Sequence, residues 1–228
     1  MTPPASPPAL AGGLALIFDM DGVLLDSNPA HREAWAAYAR HFGLQTTPEM
    51  LEWMYGRRND DIVRGFFGEG LSEGEVIRRG AEKEKLYREM VGPRLERMLV
   101  PGLRPFLDRY RQAPIALATN AEPENVGFLL DGAGLRQYFR VVVDGHQVSR
   151  PKPDPEVYLR AAEWLEVAPE NAIVFEDSPS GVEAARAARM RVIGLRTTYV
   201  NLPGVTICVD NFLSGDLHSW LAAQTIAV

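Results

Sequence analysis

The feature that most constrains the fold of this chain is a regular alternation of short apolar runs with amphipathic stretches. Each run is nearly continuous in apolar residues, which is typical of strands buried on both faces. Strands that alternate with helices predict an α/β protein built on a doubly wound, mainly parallel sheet. The six candidate strands cover residues 14–18, 115–118, 140–143, 172–175, 192–195 and 205–209.

Helix start and stop signals lie between these runs. Asp154-Pro155-Glu156 combines an N-cap residue, a first-turn proline and a first-turn acid, and Gly134 is a typical helix stop. The resulting predicted helices cover residues 103–111, 122–133, 154–166, 179–188 and 213–222.

Residues 30–98 interrupt this alternation, because only helical patterns occur there. Their 12 basic and 12 acidic side chains balance, so the rest of the chain carries the whole net charge of −6. Ser72 and Glu75 form a capping-box pattern ahead of a helix that reaches about residue 90. We predict an all-helical cap domain over residues 30–98, inserted into a core formed by residues 13–29 and 99–228.

The composition excludes several classes of protein. The proline-rich residues 1–12 are expected to be a disordered tail. A secretory signal would require a Lys or Arg before its apolar run, and none precedes the apolar run that follows this tail. No run approaches the roughly 20 apolar residues of a membrane span. The net charge of −6 argues against nucleic-acid binding. We expect a cytoplasmic protein that is a monomer or a weak oligomer.

Polar side chains follow three of the predicted strands, and a lysine loop precedes the helix at residue 154. Ligands of parallel sheets bind at the carboxyl ends of the strands, so these groups are expected to meet at one edge. They are Asp19, Asp21, Thr119, Asn120, Lys152, Glu176 and Asp177.

This set of residue types suits phosphoryl transfer. Carboxylates that share a small volume need a cation, and hard oxygen ligands suit Mg²⁺. Lys152 supplies a compact positive charge, and Thr119 and Asn120 supply neutral donors for phosphoryl oxygens. Asp19 is then able to attack phosphorus, and Asp21 to act as acid and base. The acid role of Asp21 calls for a raised pKa, which neighbouring carboxylates favour.

The same residues resemble the four motifs of the haloacid dehalogenase-like hydrolases, in the same order. The resemblance spans about residues 14–222, and two longer strings, at residues 154–158 and 177–182, are similar to the branch containing phosphoglycolate phosphatase and beta-phosphoglucomutase. It implies a Rossmann-like core with a helical cap. The motifs are Asp19-Met20-Asp21-Gly22-Val23, Thr119-Asn120, Lys152-Pro153 and Glu176-Asp177.

The resemblance also implies a role for each position. Asp19 is the expected nucleophile and a Mg²⁺ ligand, and Asp21 the acid/base, with its backbone carbonyl on the metal. Glu176 and Asp177 are the expected remaining metal ligands. Because the name-giving dehalogenases lack the second aspartate of the first motif, Asp21 indicates phosphorus chemistry. The expected substrate is a small phosphorylated metabolite.

Three functions stay open at this point. Asp26, Ser27, His31 and Trp35 match a pattern found in both phosphomutases and sugar-phosphate phosphatases. The mutases grip a second phosphate with polar residues after the second motif. This chain has Ala121 and Pro123 there, and neither side chain donates a hydrogen bond. A phosphatase is favoured, a beta-phosphoglucomutase-like mutase is the alternative, and a non-catalytic phosphate-binding regulator is a remote third.

Substrate choice is expected to lie with the cap. Arg57 and Arg58 follow a glycine in a predicted turn and are candidates to grip a carboxylate or a distal phosphate, although a solvated loop explains them equally well. Lys83 is a third candidate, with pairing to a neighbouring glutamate on an exposed face as its alternative. His31 lies on an aromatic stripe and is interpreted as a packing residue.

Overall fold

A computed structural model describes residues 13–55 and 57–224, so the predicted tail at residues 1–12 lies outside the described residues. Six strands form one sheet in the order β3-β2-β1-β4-β5-β6, and all neighbouring strands are parallel. The strands are β1 (Ala15–Phe18), β2 (Ile115–Ala118), β3 (Val141–Val143), β4 (Ala172–Glu176), β5 (Arg191–Leu195) and β6 (Ile207–Val209).

The sheet is covered on both faces, as the apolar runs predict. Leu16 and Phe18 of β1 point into one apolar cluster, and Ala15 and Ile17 point into another on the opposite face. All four side chains are fully buried. Burial on both faces is the reason why these strands are apolar without alternation. The predicted α/β, doubly wound, Rossmann-like fold is confirmed.

Nine α-helices connect or flank the strands within the described residues. Several predicted boundaries differ from the structure by one or two residues. At the start of α7, which begins at Glu156 rather than at residue 154, Asp154 Oδ1 accepts a hydrogen bond from the Glu156 amide at 3.0 Å in the turn before the helix. None of the described helices combines the length and apolar character of a bilayer span. The helices are α1 (Asn28–His41), α2 (Pro48–Trp53), α3 (Asn59–Phe67), α4 (Glu73–Val91), α5 (Leu103–Arg109), α6 (Pro123–Gly132), α7 (Glu156–Trp164), α8 (Pro179–Ala187) and α9 (Gly215–Ala223).

Helices α1 to α4 lie between β1 and β2 and have an apolar cluster of their own. Trp35, Val63 and Val76 are buried in that cluster, separately from the two clusters on the sheet. The predicted cap of α4 is present, with Ser72 Oγ accepting from the Glu75 amide at 3.3 Å. The inserted all-helical region is therefore confirmed, and we keep residues 30 and 98 as its proposed limits.

Candidate active site

The predicted residues lie at the carboxyl edge of three neighbouring strands. Asp19 follows β1, Thr119 follows β2, and Glu176 and Asp177 end or follow β4. Because β1 lies between β2 and β4, these side chains come from adjacent strands of the sheet. They line a cavity of about 580 Å³ whose opposite wall is formed by the inserted helices.

Lys152 connects the ends of all three strands. Its Nζ donates to Asp19 Oδ1 at 2.6 Å, to Glu176 Oε1 at 2.8 Å and to the Ala118 carbonyl at 3.1 Å. These three acceptors match the three protons of an ammonium group. Its backbone amide donates to Asn120 Oδ1 at 3.2 Å, so the lysine loop is also tied to the loop after β2.

Three carboxylates crowd around this single ammonium group. Asp19, Glu176 and Asp177 each offer an oxygen within 4.8 Å of the others, and all three residues are buried. Burial raises the pKa of Asp19 to about 7, with Glu176 adding to the rise and Lys152 opposing it. Burial, Glu176 and Asp19 raise the pKa of Asp177 well above its usual value. An excess of buried negative charge on hard oxygen donors fits a divalent cation.

Glu176 is held rigidly by donors on both oxygens. Oε1 accepts from Lys152 and from Tyr158 Oη at 2.7 Å, and Oε2 accepts from the amides of Asp177 and Ser178 at 2.9 and 3.0 Å. Burial alone would raise the pKa of Glu176, but Lys152 and the Tyr158 hydroxyl bring it below its usual value. A Cβ at Gly181 would lie 1.7 Å from Oε1, so only glycine fits there.

Asp177 is enclosed by the loops after β1 and β5. Its Oδ2 accepts from Thr198 Oγ1 and, at 3.3 Å, from Asn28 Nδ2. Gly22 has a φ of +76°, and a Cβ there would lie 1.9 Å from Asp177 Oδ2. The glycine of the first motif is thus required both by its backbone conformation and by the approach of this carboxylate.

Asp21 has different neighbours from those expected. Ser27 Oγ donates to its Oδ1 at 2.6 Å, and His31 Nε2 lies 3.4 Å from the same oxygen. Burial favours the neutral acid, but the His31 contact and the Ser27 hydrogen bond outweigh it and lower the pKa of Asp21. The expected rise is therefore wrong, because donors rather than carboxylates face this side chain.

The half-buried His31 and the buried Lys83 connect the inserted helices to Asp21. The His31 ring stacks on Tyr87 with centroids 3.8 Å apart, and its Nδ1 lies 3.2 Å from Lys83 Nζ. Lys83 Nζ donates to Glu84 Oε1 at 2.6 Å, and the lysine is only 1% exposed. Lys83 therefore pairs with the neighbouring Glu84, as the alternative interpretation predicted, but the pair is buried and does not lie on an exposed face. His31 packs as interpreted, and it also contacts Asp21, which the sequence analysis missed.

The two cap arginines both line the cavity, with different partners. Arg58 Nη2 donates to the Gly145 carbonyl at 2.9 Å and so joins the cap to the core. Arg57 Nε donates to the Trp53 carbonyl at 3.0 Å, and its guanidinium lies over the Trp53 ring at 4.3 Å. Arg58 is half-buried, whereas Arg57 is exposed and, among the described residues, contacts only its own helical turn, so the solvated alternative stays open for Arg57.

Thr119 and Asn120 shape the wall of the cavity next to Asp19. Thr119 is 2% exposed, and its Oγ1 accepts from the Ala121 amide at 3.1 Å. The hydroxyl proton of Thr119 is thereby free to point to another acceptor. Asn120 uses its Oδ1 for Lys152, which leaves its amide group as a donor on the cavity wall.

The sequence analysis missed several contacts that complete the site. Thr198 follows β5 without a recognisable motif. Tyr158 ends the string at residues 154–158, but that resemblance assigned no role to its hydroxyl group, which contacts Glu176. Asn125 Nδ2 donates to Glu84 Oε2 at 2.7 Å across the boundary between core and cap. Such contacts depend on how distant elements pack, so local patterns do not reveal them.

The fold and this edge of the sheet together define a doubly wound α/β protein with a buried aspartate–lysine centre and an inserted helical region. Comparison with protein families gives a specific result: the profile described as haloacid dehalogenase-like hydrolase matches residues 14–189. The chain belongs to this family. The resemblance inferred from the four motifs is confirmed.

Individual relatives share most of the chain. A fructose-1-phosphate phosphatase of Escherichia coli K12 is 34% identical over 182 residues, covering 79% of this chain and 95% of the relative. A phosphorylated carbohydrates phosphatase of Thermotoga maritima is 35% identical over 188 residues, covering 79% and 84%. The crystal structure of a beta-phosphoglucomutase from Clostridium difficile superposes with a TM-score of 0.80 at 26% identity, covering 92% of this chain and 97% of that one.

Proposed function

We propose that this protein is a Mg²⁺-dependent phosphatase that hydrolyses small phosphorylated metabolites of the sugar-phosphate class. The observation that carries the proposal is the buried Asp19 carboxylate, fixed by Lys152 beside two further acids at the edge of a cap-covered cavity. The phosphatase names of relatives with 34% and 35% identity support the substrate class.

Mg²⁺ is proposed as the cation for the excess of carboxylates. Asp19, Glu176 and Asp177 would hold it with side-chain oxygens, and Asp21 with its backbone carbonyl. When bound, the ion neutralises charge on both the nucleophile and the phosphoryl group. Hard oxygen donors of this kind suit Mg²⁺ better than they suit softer metals.

In the first step, an oxygen of Asp19 attacks phosphorus while the bond from phosphorus to the ester oxygen breaks. Thr119, Asn120 and Lys152 donate to the phosphoryl oxygens. Asp21 gives its proton to the leaving alkoxide. The dianionic substrate raises the pKa of Asp21 on arrival, because a nearby negative charge favours the neutral acid, and this counters the effect of His31.

In the second step, water attacks the aspartyl phosphate and releases inorganic phosphate. Asp21, now ionised, accepts the proton of this water. The donors Ser27 and His31 stabilise that ionised state, which suits the base half of the cycle. The cap keeps bulk solvent from the phosphoenzyme.

A mutase remains the second candidate, because a beta-phosphoglucomutase is among the structures most similar to this chain. Ala121 and Pro123 still argue against it, since a mutase has to hold a bisphosphate at both ends. Conversion of a hexose 1-phosphate to its 6-phosphate, with added bisphosphate, would identify a mutase. A phosphate-binding regulator would show no turnover with Mg²⁺ or with EDTA.

Replacing Asp177 is expected to change the metal requirement. In Asp177→Ala the Mg²⁺ concentration for half-maximal hydrolysis of an aryl phosphate should rise by about tenfold or more, because a buried ligand is lost. Asp216→Ala, at an exposed position outside the cavity, is the matched control and should leave the Mg²⁺ titration unchanged. An unaltered titration in Asp177→Ala would remove this residue from the metal site.

Replacing both cap arginines is expected to affect substrates unequally. Arg57→Ala/Arg58→Ala should lower kcat/KM for a sugar phosphate by about tenfold, and by less for an aryl phosphate, which offers fewer polar groups to the cap. Arg97→Ala/Arg111→Ala removes two exposed guanidiniums outside the cavity and serves as the control. Equal losses on both substrates would assign Arg57 and Arg58 a purely structural role.

A further inference from the structure

The loop between Thr119 and α6 forms one wall of the cavity and ends in a carboxylate, Glu122. The Oε1 of Glu122 accepts a hydrogen bond from Asn59 Nδ2 at 2.9 Å. Asn59 is the first residue of α3, so this bond joins the core to the inserted helices. Glu122 is therefore held at a defined place where the two halves of the cavity meet.

The partner of Glu122 carries no charge. Asn59 Nδ2 also donates to Glu84 Oε1 at 2.8 Å, so one neutral amide lies between two carboxylates. Gly80 on α4 leaves room for this arrangement, because a Cβ there would lie 3.2 Å from Asn59 Cβ. The amide fixes Glu122 in position without neutralising it.

The cations on this wall are bound to other acceptors. Lys83 donates to Glu84, Arg88 Nη1 to Asn125 Oδ1 at 2.7 Å, and Arg58 to the Gly145 carbonyl. Within residues 13–55 and 57–224, no ion pair involves Glu122. Glu122 therefore lines the cavity with no cation hydrogen-bonded to it among the described residues, while Arg57, Arg58 and Arg88 donate to neutral oxygens and keep their charges on the same lining.

Glu122 is also within reach of the distal part of a small substrate. It lies three residues after Thr119, and three residues span at most about 11 Å. A phosphoryl group bound by Thr119 and Lys152 therefore places the remainder of a sugar ester near Glu122. A carboxylate in contact with that part of the ester accepts hydrogen bonds from its hydroxyl groups and repels a second phosphate.

We propose that Glu122 is a specificity-determining residue that restricts the site to phosphate monoesters whose distal part is uncharged and carries hydroxyl groups. This inference rests on the proposed phosphatase function and narrows its substrate class. The fixed charge of Glu122 repels a second phosphate at the distal end, whereas a hydroxyl group there donates a hydrogen bond to the same carboxylate oxygens.

The test compares the binding of two sugar esters that differ by one phosphate. Dissociation constants for fructose 1-phosphate and fructose 1,6-bisphosphate are measured by calorimetry with Mg²⁺, in an Asp19→Asn background that blocks turnover. Adding Glu122→Gln keeps an acceptor for Asn59 and removes the charge. The Kd of the bisphosphate should fall by about tenfold, and that of the monophosphate should change by no more than about twofold.

Two further variants decide between charge and structure. Glu122→Asp keeps the charge and should retain the original preference for the monophosphate. Glu163→Gln removes an exposed charge outside the cavity and should change neither dissociation constant. An unchanged ratio of the two constants in Glu122→Gln overturns the inference, as does the same gain for both ligands. Aryl phosphate hydrolysis by the unmodified enzyme, measured separately, tests the proposed function alone.

Discussion

Asp19→Asn should abolish hydrolysis of an aryl phosphate, lowering kcat by about 10⁴-fold or more. The amide cannot form the phosphoenzyme, and groups that act as a unit in covalent catalysis show losses of this size. The substitution is nearly isosteric, and its oxygen still accepts the hydrogen bond from Lys152. It also removes one of three mutually repelling acids, so the melting temperature should change by only a few degrees.

Asp216→Asn is the control for this result, because Asp216 is exposed and lies outside the cavity. It should retain full activity. Substantial turnover by Asp19→Asn, with protein of verified mass and fold, would rule out Asp19 as the nucleophile and with it the proposed route through an aspartyl phosphate.

Lys152→Met should be the most destabilising single change at the site. It leaves Asp19 and Glu176 buried without their cation, and breaking a buried ion pair in this way costs about 3–5 kcal/mol. Activity should fall at least about 10²-fold, because a donor to the phosphoryl group is lost. Urea denaturation of the metal-free protein measures the first effect, and aryl phosphate hydrolysis the second.

The destabilisation by Lys152→Met should depend on pH. Without the lysine, the already raised pKa of Asp19 in the folded state rises further, and Glu176 loses the main interaction that keeps its pKa below the usual value, so burial raises that pKa too. A folded-state pKa that is raised in this way means that stability is lost as pH increases from the unfolded pKa to the folded one. The difference in free energy of unfolding from the unmodified protein should therefore be larger at pH 8 than at pH 5.

Lys85→Met, at a side chain 74% exposed, should cost less than about 1 kcal/mol at either pH. A pH-independent loss in Lys152→Met would contradict this account.

Much of the fold is predictable from the sequence, because a strand buried on both sheet faces is a nearly continuous run of apolar residues. The run at residues 115–118 coincides with β2, and Ser72 and Ser178 cap their helices as the local pattern indicates. The start of α7 differs because the Asp154 carboxylate bonds the amide of Glu156 before the helix begins. Turn and cap use the same residue types, so sequence alone does not separate them.

The site is predictable only as far as strand ends determine it. Asp19, Thr119 and Glu176 follow from the rule that ligands bind at the carboxyl edge of a parallel sheet. The contact of His31 with Asp21 and the burial of Lys83 instead depend on how the inserted helices are oriented over that edge. Orientation results from packing between distant segments, which the spacing of residues within one helix does not encode.

The place of β4 in the sheet has a consequence for how the protein is synthesised. This strand pairs with β1 along the centre of the sheet, yet its last residue is 157 positions after Asp19. A nascent chain that ends before β4 leaves one edge of β1 unpaired and lacks both Glu176 and Asp177. A chain synthesised only as far as β3 therefore lacks the two acids that we propose hold the metal, and we expect fragments that end before residue 177 to be inactive.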